Sequence, residues 1–292
     1  MSSAPVADAS VKLDGILRRA WSLFYRNPIV ALPLLVFLFA IVIVFGGLAT
    51  VLVMSVLDAT AHHQHGPPAN LIPVGVIAAI AWVVAFAIQP LLFTALYGLA
   101  DAAWMRDSAT AADALSALRQ RWVATYVAAV GFLALGIAGV ILTIPTLGLV
   151  WFAFPVFTMY VFPAVVAGRR SGFDAIVESI RLVRRKLALS ALATLILFAI
   201  QYAGSFVVFP FLLPMQFAIM TSTANGQQGL PHLEAWQFAL AVTGYILLFV
   251  LAGASMGFNA LVQTGLYRAL QPARVVLPST ALAAAQDTDN SA

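Results

Sequence analysis

The chain has 292 residues, of which 62% are hydrophobic and only 9% are charged, whereas about 25% of the residues of a typical soluble domain carry a charge. A water-soluble fold of this composition could not cover its surface with polar groups, which argues against soluble enzymes and soluble binding modules. Several apolar runs exceed the roughly 18–20 residues that cross a bilayer as a helix, so we expect an all-α integral membrane protein. The absence of cysteine excludes disulfides and thiolate metal sites.

The first predicted element is an amphipathic helix over residues 11–26. Its apolar side chains recur at helical spacing, while Asp14 and Arg18 lie on another face as an i,i+4 pair. Pro28 follows directly after Asn27 and ends the helix, because the residue before a proline resists the α conformation. The segment is too polar to span a bilayer, so we place it in the membrane interface.

Six apolar segments follow, and each is predicted to span the membrane. A charged connection, which holds a further helical piece from Thr110 to Trp122, separates the second span from the third. Pro210 and Pro214 interrupt the apolar run after the fifth span. The sequence leaves open whether this segment spans the membrane, re-enters it or lies in the interface. We predict one transmembrane domain over residues 1–270, then a flexible tail over 271–292. The predicted spans are 29–57, 71–100, 123–144, 149–167, 187–209 and 236–266.

The distribution of basic residues predicts the orientation of these spans. All 15 Lys and Arg residues fall in the amino-terminal segment, the second loop, the fourth loop or the carboxy-terminal segment. The loops at 58–70, 145–148 and 221–235 contain none. The positive-inside rule therefore places both termini and the connections at 101–121 and 168–186 in the cytoplasm.

The connection between the fourth and fifth spans holds an amphipathic helix from Gly172 to Lys186. One interpretation is an interface-lying connector whose basic residues enforce the topology. The other is recognition of anionic lipid head groups, since each Lys or Arg near an anionic surface contributes about 1 kcal/mol. The candidate lipid contacts are Arg169, Arg170, Arg181, Arg184, Arg185 and Lys186.

Three segments of the chain begin in a similar way. Ser171-x-x-Asp174 and Thr110-x-x-Asp113 both match the start of a helix with a capping box, and Asp14 begins a third version. Each segment leads through an amphipathic helix into a hairpin of two spans. We interpret the chain as three units of interfacial helix plus hairpin. The alternative is that each loop helix needs a cap of its own.

The predicted spans contain no Asp, Glu, Lys, Arg or His, which argues against a proton-coupled pump and an intramembrane metalloprotease. Their strongest polar groups are expected in the bundle interior, as hydrogen-bonding groups between helices. These residues are Gln89, Gln201, Asn259 and Gln263. Gly253 and Gly257 form a small-residue face that fits a helix-mediated oligomer, although this spacing also arises by chance in a glycine-rich chain.

His62, His63 and His65 lie together on the loop after the first span. Short histidine tracts can bind metals, but three within four residues cannot face one ion without an unusual turn, so we expect a solvated loop. No nucleotide-binding, nucleophile-elbow or zinc-protease motif is present, nor a basic aromatic module suited to nucleic acid. We expect no catalytic residues, no cofactor, no metal and no nucleic-acid partner.

Three stretches together resemble a known family: ILRRAWSLFYRNP before the first span, FPAVVAGRRSG at the end of the fourth, and FDAIVESIRLVRRK leading into the fifth. They resemble the six-span bacterial membrane domain that is fused to some glycerophosphodiester phosphodiesterases, and the related YciC-like inner-membrane proteins. In the fused members the diesterase activity belongs to a separate soluble barrel with metal-binding carboxylates, and this chain has neither room for that barrel nor such a carboxylate set. The resemblance implies a stand-alone, multi-pass protein of the bacterial inner membrane, linked to envelope or lipid homeostasis.

These features favour a non-enzymatic membrane protein that organises lipids or partner proteins through its basic cytoplasmic helices. The alternative is a transporter or flippase for a small or lipidic solute, built from proline-broken spans around a midplane site. A water-accessible cavity lined by the four polar residues of the spans would favour transport. A dry, packed bundle would favour the scaffold.

Overall fold

The computed structural model describes residues 12–61, 71–224 and 234–271, and all regular structure within these ranges is helical. A 3-10 turn over Pro28–Ala31 joins the first two α-helices. The α-helices are α1 (Leu13–Arg26), α2 (Leu32–Ala61), α3 (Leu71–Arg106), α4 (Ala111–Leu142), α5 (Val150–Thr158), α6 (Val161–Val166), α7 (Gly172–Arg185), α8 (Leu187–Ala224) and α9 (Ala235–Leu270).

Five of these helices, α2, α3, α4, α8 and α9, are long and apolar enough to cross a membrane. That is the pattern of a multi-pass membrane protein, so the prediction of an all-α membrane protein is confirmed at this level. At 1.5 Å per residue, α3 and α9 with 36 residues each are about 54 Å long. They exceed the roughly 30 Å hydrocarbon core, so they tilt or extend beyond it.

The fourth predicted span is a shorter and broken apolar segment, Val150–Val166. Met159 and Tyr160 separate α5 from α6. Ser179 of α7, which is fully buried, bonds to both sides of the break: its hydroxyl donates to the carbonyl of Phe157 at 2.7 Å and accepts from the N–H of Tyr160 at 3.2 Å. Helix α7 therefore satisfies the backbone groups that the break leaves open.

Two helices run through boundaries that the sequence suggested. The helical piece from Thr110 to Trp122 and the third predicted span form one continuous helix, α4. The segment after Pro210 and Pro214, which the sequence left open between three interpretations, belongs to the continuous helix α8, which runs to Ala224. A proline removes one helical hydrogen bond, but long membrane helices tolerate that loss where neighbouring groups compensate.

Buried side chains concentrate at one end of the bundle, which we call the basic end. It consists of α1, the first three turns of α4, α6, α7 and the last turns of α3 and α9. Tyr160, Leu99 and Leu261 there are at most 1% exposed. Towards the opposite end, large apolar side chains such as Ile72 and Phe206 are each 77% exposed. The tightly packed core therefore lies at the basic end.

The first helix packs against the last one. The ring centroids of Trp21 and Phe258 are 5.9 Å apart and those of Phe24 and Phe258 are 6.3 Å apart, in edge-to-face arrangements. Such aromatic pairs contribute about 0.5–1.5 kcal/mol beyond their burial. The amino-terminal and carboxy-terminal helices of the described chain thus meet at the basic end.

The small-residue face of α9 is covered within the same chain. A Cβ atom on Gly257 would lie 3.0 Å from the Cα of Ala31, and one on Gly253 would lie 2.5 Å from Cγ of Leu35. Both glycines therefore let α9 closely approach the 3-10 turn and the start of α2. The face that the sequence offers for an oligomer is a packing surface inside the single chain.

Details of α1 and α7 favour the interpretation as repeated units. Both helices have 14 residues, and both end at a residue of similar conformation, Asn27 (φ −129°, ψ 64°) and Lys186 (φ −136°, ψ 53°). The N–H of each end residue donates to the carbonyls three and four positions earlier. The corresponding part of α4 continues into its span without this bend.

A short motif recurs in α3 and α9, which would close the first and third units of the predicted repeat. The motifs are Thr94-Ala-Leu-Tyr97 and Thr264-Gly-Leu-Tyr267, and all four of these Thr and Tyr residues are buried. The same two residue types are buried at Thr158 and Tyr160 in the second unit. There the two residues are two positions apart rather than three, so the motif itself is shared by α3 and α9.

Candidate functional site at the basic end

The candidate site is built from the cations of the basic end. All Lys and Arg residues within the described ranges lie on or next to α1, the last turn of α3, the first three turns of α4, α7 with its preceding corner, and the last turn of α9. Because these parts of the chain converge, the end carries a high density of positive charge. Only some of these cations are neutralised by acids.

The six predicted lipid contacts have different environments. Arg170 forms an ion pair with Glu178, whose side chain is only 12% exposed. Arg169 lines a cavity between helices. The other four residues are exposed on or just after α7, and they are Arg181, Arg184, Arg185 and Lys186.

The ion pair of Arg170 belongs to a network that joins α7 to the end of α9. The hydroxyl of Tyr267 donates to Oε1 of Glu178 at 2.8 Å, and Nε2 of Gln271 donates to that hydroxyl at 2.6 Å. A side chain at Gly168 would collide with the same hydroxyl. The last turn of α9 therefore holds the corner between α6 and α7 in place.

Arg169 lies at this corner in the left-handed region, with φ of 54°. The corner is closed by two backbone hydrogen bonds, from Gly168 N–H to Pro163 O at 3.1 Å and from Arg170 N–H to Ala164 O at 3.0 Å. A residue other than glycine in this conformation costs about 1–3 kcal/mol, and such strain clusters at functional sites. The fixed corner presents the side chain of Arg169 beside α4.

A cavity of about 210 Å³ lies between α3, α4 and this corner. Its floor is formed by small residues, and a Cβ atom on Gly98 would lie 2.5 Å from the Cβ of Ala117. The close approach of α3 to α4 brings charged residues of both helices to one opening. The principal polar residues of its lining are Asp101, Arg106, Asp113, Gln120, Arg121 and Arg169.

Both acids of the cavity are already engaged. Asp113 lies in the polar first turn of α4, where it accepts bonds from Arg106 at 2.5 Å and from the N–H and hydroxyl of Thr110 at 2.9 and 2.8 Å. Burial alone would raise the pKa of Asp113, but the bonds from Arg106 and Thr110 and the charge of Arg106 lower it below its ordinary value. Asp101 accepts two bonds from Arg268, at 2.8 and 2.5 Å.

Two cations of the cavity have no such partner. Among the described residues, neither Arg121 nor Arg169 forms an ion pair. Their charges oppose each other, since both guanidinium groups line the same cavity. The cavity therefore combines two neutralised acids with two uncompensated guanidinium groups.

The four polar residues predicted for the bundle interior do not form one site. Gln263 accepts a hydrogen bond from the hydroxyl of Tyr97, and the side-chain oxygen of Asn259 is buried without a partner within the described residues. Gln89 is half-buried, whereas Gln201 is exposed. None of the four lines the cavity at the basic end.

The predicted solvated histidine tract, His62, His63 and His65, lies outside the described residues. Within the ranges that the structure does describe, no group of three or more His, Asp or Glu side chains could hold a metal ion. The chemistry of the basic end is therefore that of arginine guanidinium groups, which bind oxyanions through paired N–H donors.

Sequence reasoning included Arg169 but missed Arg106 and Arg121. A usable signal exists on α4, because Asp113, Ala117 and Arg121 lie four residues apart along one helix face. That spacing indicates a charged stripe, but it does not indicate which helix the stripe faces. The packing of α3 against α4 supplies that information.

Comparisons with known proteins do not assign the chain to a family. No protein-family model matches the chain, and neither a curated protein nor a solved structure matches it. The resemblance to the membrane domain of the diesterases and to the YciC-like proteins therefore stays a hypothesis, and the function has to be argued from the residues of the basic end.

Proposed function

We propose that the protein is a non-enzymatic, multi-pass protein of the bacterial inner membrane that organises anionic lipids around its basic end. The single observation that carries this proposal is the outer face of α7. Phe173 and Val177, which are 61% and 53% exposed, precede the exposed cations Arg181 and Arg184 along that face. The buried face of the same helix packs into the bundle.

The order of these residues fits a membrane interface. Exposed apolar side chains enter the boundary of the acyl chains, while arginine side chains reach the level of the phosphates. Helix α1 combines the same residue types in the opposite order, with Trp21 64% and Tyr25 83% exposed after the exposed Arg18. Aromatic residues are enriched at this level of the membrane.

Neutralising the outer face of α7 tests the proposal. The triple variant Arg181→Gln, Arg184→Gln, Arg185→Gln is expected to lower bound anionic lipid at least about tenfold, because each arginine near an anionic surface contributes about 1 kcal/mol. The measurement is native mass spectrometry of the purified protein with its co-purified lipids. The matched lysine triple variant keeps the charge and is expected to retain the lipid; equal lipid content in all three proteins would contradict the proposal.

The proposed topology has six spans, with the segment Val150–Val166 as the fourth and both termini in the cytoplasm. The positive-inside rule supports it, because the cations of the basic end then lie on the cytoplasmic side. Single cysteines at Ser116 and Leu147 test it, since Ser116 is exposed at the basic end and Leu147 is 93% exposed in the turn before α5. An impermeant maleimide added outside intact cells is expected to label Leu147→Cys but not Ser116→Cys. The reverse pattern would refute this orientation.

One observation favours a transporter or flippase as a second candidate. The break at Met159 and Tyr160 makes the fourth segment discontinuous, as are the helices that form substrate sites in many transporters. The proline-bearing helices α3 and α8 are continuous, however, so the discontinuity is confined to one place among the described spans. A transporter predicts solute or lipid movement in reconstituted vesicles, whereas an organising protein predicts none.

A further inference from the structure

We propose that the cavity between α3, α4 and the corner before α7 is a discrete binding site for a phosphate monoester, carried either by a lipid head group or by a soluble molecule. The site goes beyond the proposed lipid contact, because it is a concave site on the bundle rather than the outer face of α7. It is built by three separate parts of the chain.

The charge of the cavity selects an anion. Asp113 and Asp101 are each engaged by an arginine, Arg106 and Arg268 respectively, so their charges cancel. Within the part of the chain that the structure describes, Arg121 and Arg169 then remain as two uncompensated cations. A phosphate monoester carries about −1.5 to −2 charges at neutral pH and would balance them. Binding would also relieve the repulsion between the two guanidinium groups.

The geometry holds these donors ready for a ligand. Arg169 occupies a strained corner that is fixed by the ion pair of Arg170 with Glu178 and by the hydroxyl of Tyr267. Arg121 projects from the rigid helix α4. Guanidinium groups match the oxygens of a phosphate with two parallel N–H donors, and fixed groups lose little entropy on binding.

The dimensions of the cavity indicate a small ligand or a lipid head group. The cavity holds about 210 Å³, which is below the roughly 300–1,000 Å³ of pockets for drug-sized molecules. Arg106, Gln120 and Arg169 are exposed at its rim, so the opening reaches solvent. Gln120 adds an uncharged amide donor beside the two free guanidinium groups.

Calorimetric titration of the full-length protein in uncharged detergent at low salt tests the proposal. The two probes are inorganic phosphate and short-chain phosphatidic acid. We expect Arg121→Gln and Arg169→Gly each to weaken binding at least about tenfold, the effect of losing a hydrogen bond to a charged group. Because Arg169 has a positive φ, its replacement by glycine is not expected to lower the unfolding temperature.

Arg119→Gln is the matched control, since Arg119 is an exposed cation of the same helix that does not line the cavity. We expect it to change the affinity less than about twofold, as is typical of an exposed surface charge. Binding of inorganic phosphate indicates a soluble ligand, whereas binding of the lipid alone indicates a head group; either supports the site. Absence of binding by both probes, unchanged binding in both cavity variants, or an equal loss in the control would overturn it.

The cavity site and the proposed function can be tested separately. The triple glutamine variant of Arg181, Arg184 and Arg185 leaves the cavity lining intact, so it is expected to bind inorganic phosphate as the unmodified protein does. If that variant loses co-purified lipid, but neither Arg121→Gln nor Arg169→Gly changes the binding of either probe, the proposed function stands and the cavity site is refuted.

Discussion

Replacing Gly172 with alanine is expected to destabilise the protein by about 1–3 kcal/mol, the usual cost of overpacking a close contact. Gly172 is the first residue of α7, and a Cβ atom there would lie 2.6 Å from the backbone nitrogen of Ala128 and 2.6 Å from Cβ of Val127. The backbone of α4 cannot yield as a flexible side chain would. Helix α7 would therefore have to move away, which a fall in the free energy of unfolding in detergent would detect.

Gly15→Ala is the matched control for this substitution. Gly15 lies in the first turn of α1, the amphipathic helix that corresponds to α7, and a Cβ atom on it would meet nothing within 4 Å. Alanine favours a helix over glycine by up to about 1 kcal/mol, so this variant is expected to be as stable as the unmodified protein or more stable. If both variants were equally stable, the contact between Gly172 and α4 would not be tight enough to exclude a Cβ atom.

Ser179→Ala is expected to cost about 2–3 kcal/mol, because it removes the group that bonds to both sides of the break between α5 and α6. The carbonyl of Phe157 and the N–H of Tyr160 would each lose a partner, and an unsatisfied buried polar group costs about 1–3 kcal/mol. The free energy of unfolding in detergent is again the measurement.

Ser116→Ala controls for the loss of a hydroxyl from a helix. Ser116 is exposed and donates to the carbonyl of Asp113 within its own helix at 2.9 Å. Its removal is expected to change stability by less than about 0.5 kcal/mol, as for most surface substitutions. If Ser179→Ala is equally mild, the break between α5 and α6 is supported by other groups than Ser179.

The helical elements could be predicted because their signals are local. The apolar periodicity of α1 and α7 and the length of the apolar runs depend only on neighbouring residues, and the Asp14–Arg18 pair is present at 3.0 Å as expected. The break before Tyr160 could not be predicted, because the residue that supports it lies in a different helix. The continuity of α8 through Pro210 and Pro214 is likewise a property of its surroundings, which the residues themselves do not reveal.

The sequence predicts the basic residues of the candidate site but not how they are paired in space. Arg169 belongs to an evident cluster of basic residues, so the sequence indicated its affinity for anions. The pairing that neutralises Asp101 depends on Arg268, which is 167 residues away in the chain. No pattern of neighbouring residues contains that information. Which cations remain free for a ligand is therefore decided by the tertiary structure.

The contact of Phe24 with Phe258 also sets an order of events in biosynthesis. The residue in α9 that packs against α1 is made about 230 residues after its partner, which at 5–20 residues per second corresponds to roughly 10–50 s. During that interval the amino-terminal helix can dock only on the end of α3, where Arg19 donates a hydrogen bond to the carbonyl of Trp104 and Asn27 donates one to the carbonyl of Asp107. Its aromatic contacts form only after α9 has been inserted, so truncation of α9 would leave Trp21 and Phe24 without their partner Phe258.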